Sequence, residues 1–453
     1  MIILPIILFL LVIFFLLFGY SVAFTLSGVS IIFAIICSFF GLFDLSILYA
    51  IPNRIYGIMT NESLIAVPLF IFMGIMLEKS KIAEDLLETM SILFSEVKGG
   101  LGISIIFVGA LLAASTGIVG ATVVTMGILS LPTMLKNNYD VKVATGTILA
   151  SGTLGQIIPP SIVLILLGDV MSSAYQEAQN NMGIFAQETV SVGDLFVGAI
   201  IPGLILIMLY MIYIIFLAYF KPKLVPTKKI EKNLNWYKVL SQFLAPISLI
   251  LGVLGSIIFG IATPTEAAGL GAVGATILAL VKNKISIETC FNVAKETMTI
   301  TSMIFILLIG ATIFSLVFRG LDGDAFIRDA LLSLPGEIYF KIFIVMLFIF
   351  LLGFILDFIE ITYVIVPVIA PALLMLDINP IWLAIIIAIN LQTSFLTPPF
   401  GFAIFYLRGV IPKTVMTKDI YLGVIPFIMI QLIAISLVVM FPELATWMPD
   451  NFF

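Results

Sequence analysis

The sequence predicts an all-α polytopic membrane protein made of two inverted repeats, each with five crossings, a re-entrant hairpin and a broken helix. Three observations predict it. Of 453 residues, 62% are hydrophobic and 10% charged, and many apolar runs reach the ~20 residues a membrane helix needs. Pro159-Pro160 interrupts the apolar segment Val143–Leu167, and Pro398-Pro399 interrupts Ile381–Leu407. The two interruptions lie 239 residues apart, and that offset also lays Pro132 on Pro371 and the turn Asn138–Asp140 on Asp377–Asn379. Interrupted hydrophobic segments at matching positions of two halves point to a transporter's binding site.

Composition excludes several function classes. The chain has no histidine, which removes His-based acid–base catalysis, Ser-His-Asp triads and His metal sites. Cys37 and Cys290 are far apart in sequence, so neither a structural disulfide nor a metal site is expected. No Gly-x-x-x-x-Gly-Lys-Ser/Thr motif occurs, which agrees with ion drive and not ATP. The N-terminus lacks a basic n-region and runs into a second apolar segment, so it reads as a first membrane helix. The lipid bilayer is the expected environment, with no nucleic-acid partner.

The first repeat spans residues 1–220. Met1–Phe18 and Tyr20–Phe40 form a helical pair around Gly19, and Ile55–Leu77 crosses next. Glu78–Lys98 places Ile82, Leu86, Met90 and Leu93 opposite its charges, the pattern of an amphipathic helix at the interface or against a neighbour. Residues 102–136 are apolar but interrupted by small residues at 115–122, too short for two crossings and a turn, so a re-entrant hairpin is predicted. The broken segment 143–167 follows, then a polar loop from Asp169 to Asp194 and the crossing Leu195–Phe220. A basic linker, 221–240, joins the halves. The second repeat, 241–453, follows the same plan: Phe243–Phe259, Ile261–Val281, Met298–Phe318, a hairpin at 343–375, the broken segment 381–407 and Ile420–Phe441.

Five crossings per half turn the second repeat upside down. Under this topology 17 of the 21 Lys and Arg fall on one side and 4 (Arg54, Arg319, Arg328 and Lys341) on the other. The richer side is the cytoplasm, so both termini face outward.

Broken backbone at membrane depth survives only where protein buries it or water reaches it. Freed carbonyls, Ser151, Thr153, Gln156 and Ser161 are then available to an ion or polar solute. The first candidate cage is Ser115, Thr116, Gly117 and Thr122 with Ser151, Gly152, Thr153 and Gly155. The second is Asp357 with Asn390, Gln392, Thr393, Ser394 and Thr397. Oxygen-rich cages of this kind suit Na⁺ as a coupling ion, with no other cofactor, and half-helix ends add favourable dipoles. The substrate is assigned to Pro159, Pro160 and Ser161 and to Pro398, Pro399 and Gly401. The competing reading is that the small residues only allow close helix packing. Asp357 reads equally as a helix cap and an ion ligand, and Glu360 as structural. Thr263-Pro264-Thr265-Glu266 reads as a helix start closed by a capping box.

Gly260-Ile-Ala-Thr-Pro-Thr-Glu-Ala-Ala268 resembles the G-x-x-T-P-T-E-A-A signature of the large membrane (M, DctM-type) subunit of tripartite ATP-independent periplasmic (TRAP) transporters. Gly152-Thr-Leu-Gly-Gln-Ile-Ile-Pro-Pro-Ser161 is similar to its G-x-L-G-x-x-I-P-P-S, Asn390 with Thr397-Pro-Pro-Phe-Gly401 to its N…T-P-P-x-G, and Thr122-Val-Val-Thr-Met-Gly127 to its T-V-A-A-x-G. Asp357 falls on its hairpin aspartate. At the first tip, Gly117-Ile-Val-Gly-Ala-Thr122 departs from the family's G-S-S-A-A-T.

The resemblance implies a bacterial inner-membrane protein working with a small membrane (Q) subunit and a periplasmic substrate-binding protein (P subunit). It implies Na⁺-driven import of organic anions, commonly carboxylates, by an elevator motion like that of the ion-transporter superfamily. The alternative is a stand-alone Na⁺/carboxylate symporter.

Overall fold

The computed structural model describes residues 3–94, 96–227 and 236–452, without the side chains of Ala83, Glu88, Ser115, Thr116 and residues 236–241. Every regular element among them is a helix. Among the described residues six helices are long and apolar enough to cross a membrane, seven if the bent pair Leu45–Met59 and Glu62–Lys79 counts as one span. Further apolar helices of 10–17 residues include the hairpin limbs Gly100–Ala114, Ile338–Leu352 and Phe358–Leu374 and the interrupted Pro380–Leu396, besides Ile3–Leu17 and Gln242–Ile258.

Ile3–Leu17 and Val22–Phe39 pack as a pair, turned at Gly19 with φ +80°. The next crossing departs from the expected Ile55–Leu77. The Asn61 side chain accepts the Ser63 N–H at 2.9 Å and starts a new helix, Glu62–Lys79, which meets the preceding stretch at 52°. An apolar count alone does not register such a cap. Ile82–Leu93 is the amphipathic element. Its Ile82, Leu86, Leu87 and Met90 are buried, and the helix rests on Gly100–Thr116. Lys79 pairs with Glu296 at 2.8 Å and Asp85 with Lys282 at 3.9 Å, tying this arm to the second half of the chain.

Gly100–Thr116 and Val119–Lys136 pack on each other and on Val141–Thr153, joined by Gly117 in the left-handed region (φ +60°). Val141–Thr153 ends in a tight turn, Leu154–Gln156, before the cis Pro159-Pro160 bond, and the chain resumes as Ile162–Asn181. The expected polar loop from Asp169 to Asp194 is therefore mostly helix. Val170, Met171, Ala174 and Ala178 recur at helical spacing and are buried, so this apolar face outweighs the polar residues between them. Only 182–191 is loop, anchored where Gln179 Nε2 donates to the Glu188 carbonyl at 2.9 Å. A capping box between Ser191 and Asp194 opens Val192–Phe220. The basic linker is described only to Thr227, so Lys228, Lys229 and Lys232 lie outside the described residues.

In the second half, Trp236–Ile258 is followed by Pro264–Val281, which starts where the sequence places it. Thr263 accepts the Glu266 N–H at 3.3 Å and Glu266 accepts the Thr263 N–H at 2.8 Å. Removing the Glu266 half of this box with Glu266→Ala is expected to lower the Tm of the purified protein slightly, with the Na⁺ titration of uptake unmoved. Ile287–Gly320 is longer than the expected Met298–Phe318, because Ser286 caps it at Thr289 N–H, 3.0 Å away. Gly323–Ser333 is a short helix not expected from the sequence. Ile338–Leu352 packs on Pro380–Leu396, while its return limb, Phe358–Leu374, rests on Ile162–Asn181 and Gly323–Ser333. Pro380–Leu396 breaks before the cis Pro398-Pro399 bond, and Phe402–Val410 continues.

Helices approach closely through glycine. A Cβ on Gly146 would strike the Gly423 carbonyl oxygen, and one on Gly310 the Ala23 carbonyl oxygen. The 239-residue offset recurs in local geometry. Asn138 and Asp377 both take left-handed φ, +60° and +61°. Asp140 then accepts the Lys142 and Val143 N–H groups, as Asn379 accepts those of Ile381 and Trp382. A Cβ on Gly423 would meet Lys142, and one on Gly198 would meet Ile381 at 2.7 Å. Lys142 and Ile381 are themselves one offset apart.

Candidate ion and substrate site

Each break sits against a hairpin. Gly109 lies so near Ser151 that a Cβ there would fall 2.5 Å from the serine Cβ. A Cβ on Gly152 would lie 3.2 Å from the Val123 Cα, and one on Gly155 3.3 Å from the Ala113 carbonyl oxygen. Gly117, at the tip, approaches the Ile162 N–H that opens the next half-helix. In the second cluster Asn390 Nδ2 donates to the Met346 carbonyl at 2.8 Å, and Gly353 abuts Ser394 Oγ. Ser151 and Asn390 correspond across the offset, and each touches the first limb of its own hairpin. The two clusters also meet: Gln392 Nε2 reaches Thr153 Oγ1 at 3.4 Å, again across 239 residues.

The hydroxyls share one arrangement. Ser151 donates to the Ile148 carbonyl at 3.0 Å, Thr153 to Ala150 at 3.0 Å, and Thr122 to Ile118 at 3.0 Å. Thr393 donates to Ile389 at 2.8 Å, Ser394 to Leu391 at 2.8 Å and Thr397 to Thr393 at 2.7 Å. A hydroxyl whose proton is engaged by a carbonyl presents its lone pairs outward, as a hard cation requires. No group of three or more His, Cys, Asp or Glu that could hold a metal occurs among the described residues; beside the single Asp357 carboxylate, this centre offers oxygen from hydroxyls, amides and carbonyls.

Asp357 caps the return limb. Its side chain accepts the Phe358 N–H at 2.6 Å, and Glu360 accepts the Asp357 N–H at 2.9 Å. The cap therefore exists, and it leaves carboxylate lone pairs at the hairpin tip. Ser161 Oγ donates to the Gly155 carbonyl at 2.7 Å and braces the break. Pro159 and Pro160 are buried beside it. At the second break Pro399 is exposed and Pro398 half-buried, Tyr421 donates to the Pro399 carbonyl at 3.2 Å, and Gly401 N–H bonds the Thr397 carbonyl at 3.0 Å. The side chains of Ser115 and Thr116 lie outside the described residues. Arg319 pairs with Glu177 and Asp324, and Arg408 donates to the Val415 carbonyl.

The structure adds Gln156 and Thr362, which the two cages omit, and an unpaired atom on Gln392, which the second includes. Gln156 is fully buried with neither amide atom hydrogen-bonded, and Gln392 Oε1 is likewise unpaired. Thr362, one turn past the Asp357 cap, has a buried hydroxyl without a partner. Buried polar atoms left unpaired by protein are costly and call for a water, an ion or a polar ligand as partner. Gln156 was legible as a polar residue beside Pro159-Pro160. Thr362 was not, since a lone Thr in an apolar run carries no pattern.

Interrupted helices packed against helical hairpins, inside an all-helical chain with helices of membrane-spanning length, are the arrangement of a membrane transporter. The model of the tripartite ATP-independent periplasmic transporter DctM component matches residues 9–444, and the chain belongs to that family. Among its relatives, the ectoine TRAP transporter large permease TeaC of Halomonas elongata is 29% identical, with 86% of each chain covered. The C4-dicarboxylate large permease DctM of Pseudomonas aeruginosa is 26% identical over 88% of each. The sialic acid large permease SiaM of Vibrio cholerae is 26% identical over 96% of each. Among solved structures, the YdaH transporter of Alcanivorax borkumensis shares the fold, with TM-score 0.59 at 14% identity over 90% of each chain. The chain is thus a TRAP large membrane subunit, a family that works with a small permease and a periplasmic binding protein.

Proposed function

We propose that this subunit imports small organic acids delivered by the binding protein, driven by a Na⁺ gradient. The observation that carries the reading is the pairing of each backbone break with a hairpin, lined by hydroxyls whose protons are already engaged. The cages named above would take Na⁺, and the Pro-Pro turns with Ser161 and Gly401 the substrate. The unpaired Gln156 amide and the Gln392 Oε1 lie where the two clusters join and add polar contacts for either. The substrates named for the relatives (ectoine, C4-dicarboxylates and sialic acid) support an organic acid as the cargo.

Residues 1–220 and 241–453 are proposed as inverted repeats with both termini periplasmic. The matched caps and left-handed turns at the 239-residue offset, and the 17-to-4 division of cationic side chains, support this orientation. Alternating access would move hairpins and broken helices as an elevator past the remaining helices.

Uptake of radiolabelled ectoine, succinate and sialic acid into proteoliposomes tests the reading. Accumulation is expected only with the small subunit, the binding protein and an inward Na⁺ gradient together. Uptake by this chain alone would place it with stand-alone symporters. Uptake indifferent to Na⁺ would remove the coupling ion.

A further inference from the structure

A cavity of about 330 Å³ lies apart from both cages, between Ile51–Met59, Glu62–Lys79, Ile162–Asn181 and Ile287–Gly320. Arg54, Asn61, Asp169, Glu177, Arg319 and Tyr363 are its polar lining at the charged end. The sequence places Arg54 and Arg319 on the outer side, where a periplasmic binding protein would release its cargo.

The charges in this lining are unequally paired. Arg319 is neutralised, its Nη2 3.0 Å from Glu177 and its Nε 3.3 Å from Asp324. Arg54 is half-buried and has no carboxylate within ion-pair distance among the described residues. Asp169 Oδ1 accepts one hydrogen bond, from Asn61 Nδ2 at 2.7 Å. The Tyr363 hydroxyl is buried beside the Asp169 carboxylate and interacts with it. One cation and one carboxylate therefore face the cavity incompletely satisfied.

We infer that this cavity is an entry vestibule that recognises an organic acid bearing one carboxylate together with a cationic or hydrogen-bond-donating group. Arg54 binds the carboxylate by charge-assisted hydrogen bonds. Asp169 and the Tyr363 hydroxyl receive the donor end. Zwitterions and hydroxylated monocarboxylates satisfy both ends. A dicarboxylate satisfies Arg54 but turns its second negative charge toward Asp169 and Glu177, which disfavours it. Recognition in the vestibule deepens the transport reading and rests on it.

The test uses this chain in complex with its small subunit and without the binding protein. Saturation-transfer NMR detects weak binding of ectoine, sialic acid and succinate as separate probes. Ectoine and sialic acid are expected to bind more tightly than succinate. Arg54→Gln should weaken both by roughly ten-fold or more, with Arg54→Lys weakening them less. Asp169→Asn should narrow the preference for ectoine over succinate. Equal binding to wild type and Arg54→Gln, or succinate bound as tightly as ectoine, overturns the vestibule. Uptake by the complete system separates the two claims. Na⁺-driven uptake that persists while Arg54→Gln binds all probes like wild type leaves transport standing and removes the vestibule. Failure of the wild-type system to take up any organic acid removes the transport reading itself.

Discussion

Gly152→Val is expected to reduce uptake at least ten-fold while the protein still inserts and elutes as a single species. A Cβ at this position would lie 2.5 Å from Val123 Cγ2, 3.2 Å from its Cα and 3.3 Å from its backbone nitrogen. The side-chain methyl can turn away, but the backbone of Val119–Lys136 cannot without shifting the hairpin. Overpacking of this kind typically costs ~1–3 kcal/mol, which a large membrane bundle tolerates. Placement of catalytic or binding groups is less forgiving: displacements of about 1 Å can cost two orders of magnitude. Gly252→Val is the control, since nothing lies within 4 Å of a Cβ there. Uptake in proteoliposomes, read beside size-exclusion profiles, checks both. Full activity in Gly152→Val would mean that the first hairpin and the first break need not stay in contact.

Replacing Asp357 separates its two roles. Asparagine caps helices about as well as aspartate, so Asp357→Asn preserves the bond to the Phe358 N–H while removing the negative charge. We expect little change in Tm but a rise of roughly ten-fold in the Na⁺ concentration that half-saturates uptake, the equivalent of ~1.4 kcal/mol. Asp357→Ala loses cap and charge together and should add about 1 kcal/mol of destabilisation. Asn390→Ala, which releases the Met346 carbonyl, should shift the same Na⁺ titration. An Asp357→Asn protein with the wild-type Na⁺ titration would reduce Asp357 to a cap.

Much of this architecture is legible in the sequence because membrane helices obey few rules. Apolar length locates most helices, and Pro-Pro and Gly mark the breaks. Thr263 and Glu266 were readable as a capping box because a short local pattern determines it. Asn61 was passed over because its cap lies within an apolar run that looks continuous. The 170–181 stretch reads as loop in the sequence because its polar residues mask a buried stripe of Val170, Met171, Ala174 and Ala178. The same helix carries Asp169 and Glu177 into the charged cavity, so the sequence pattern does not reveal that cavity either. Pairings such as Gln392 with Thr153 follow from the offset only once the helices are known to meet there.

The most direct measurement is simultaneous entry of ²²Na⁺ and labelled substrate into the same proteoliposomes, with the small subunit and binding protein present. Na⁺ is expected to enter in fixed proportion to substrate, and Asp357→Asn to lower both at limiting Na⁺. Substrate accumulation without any accompanying Na⁺ influx would contradict the account, leaving the hairpin tips and broken helices as packing devices.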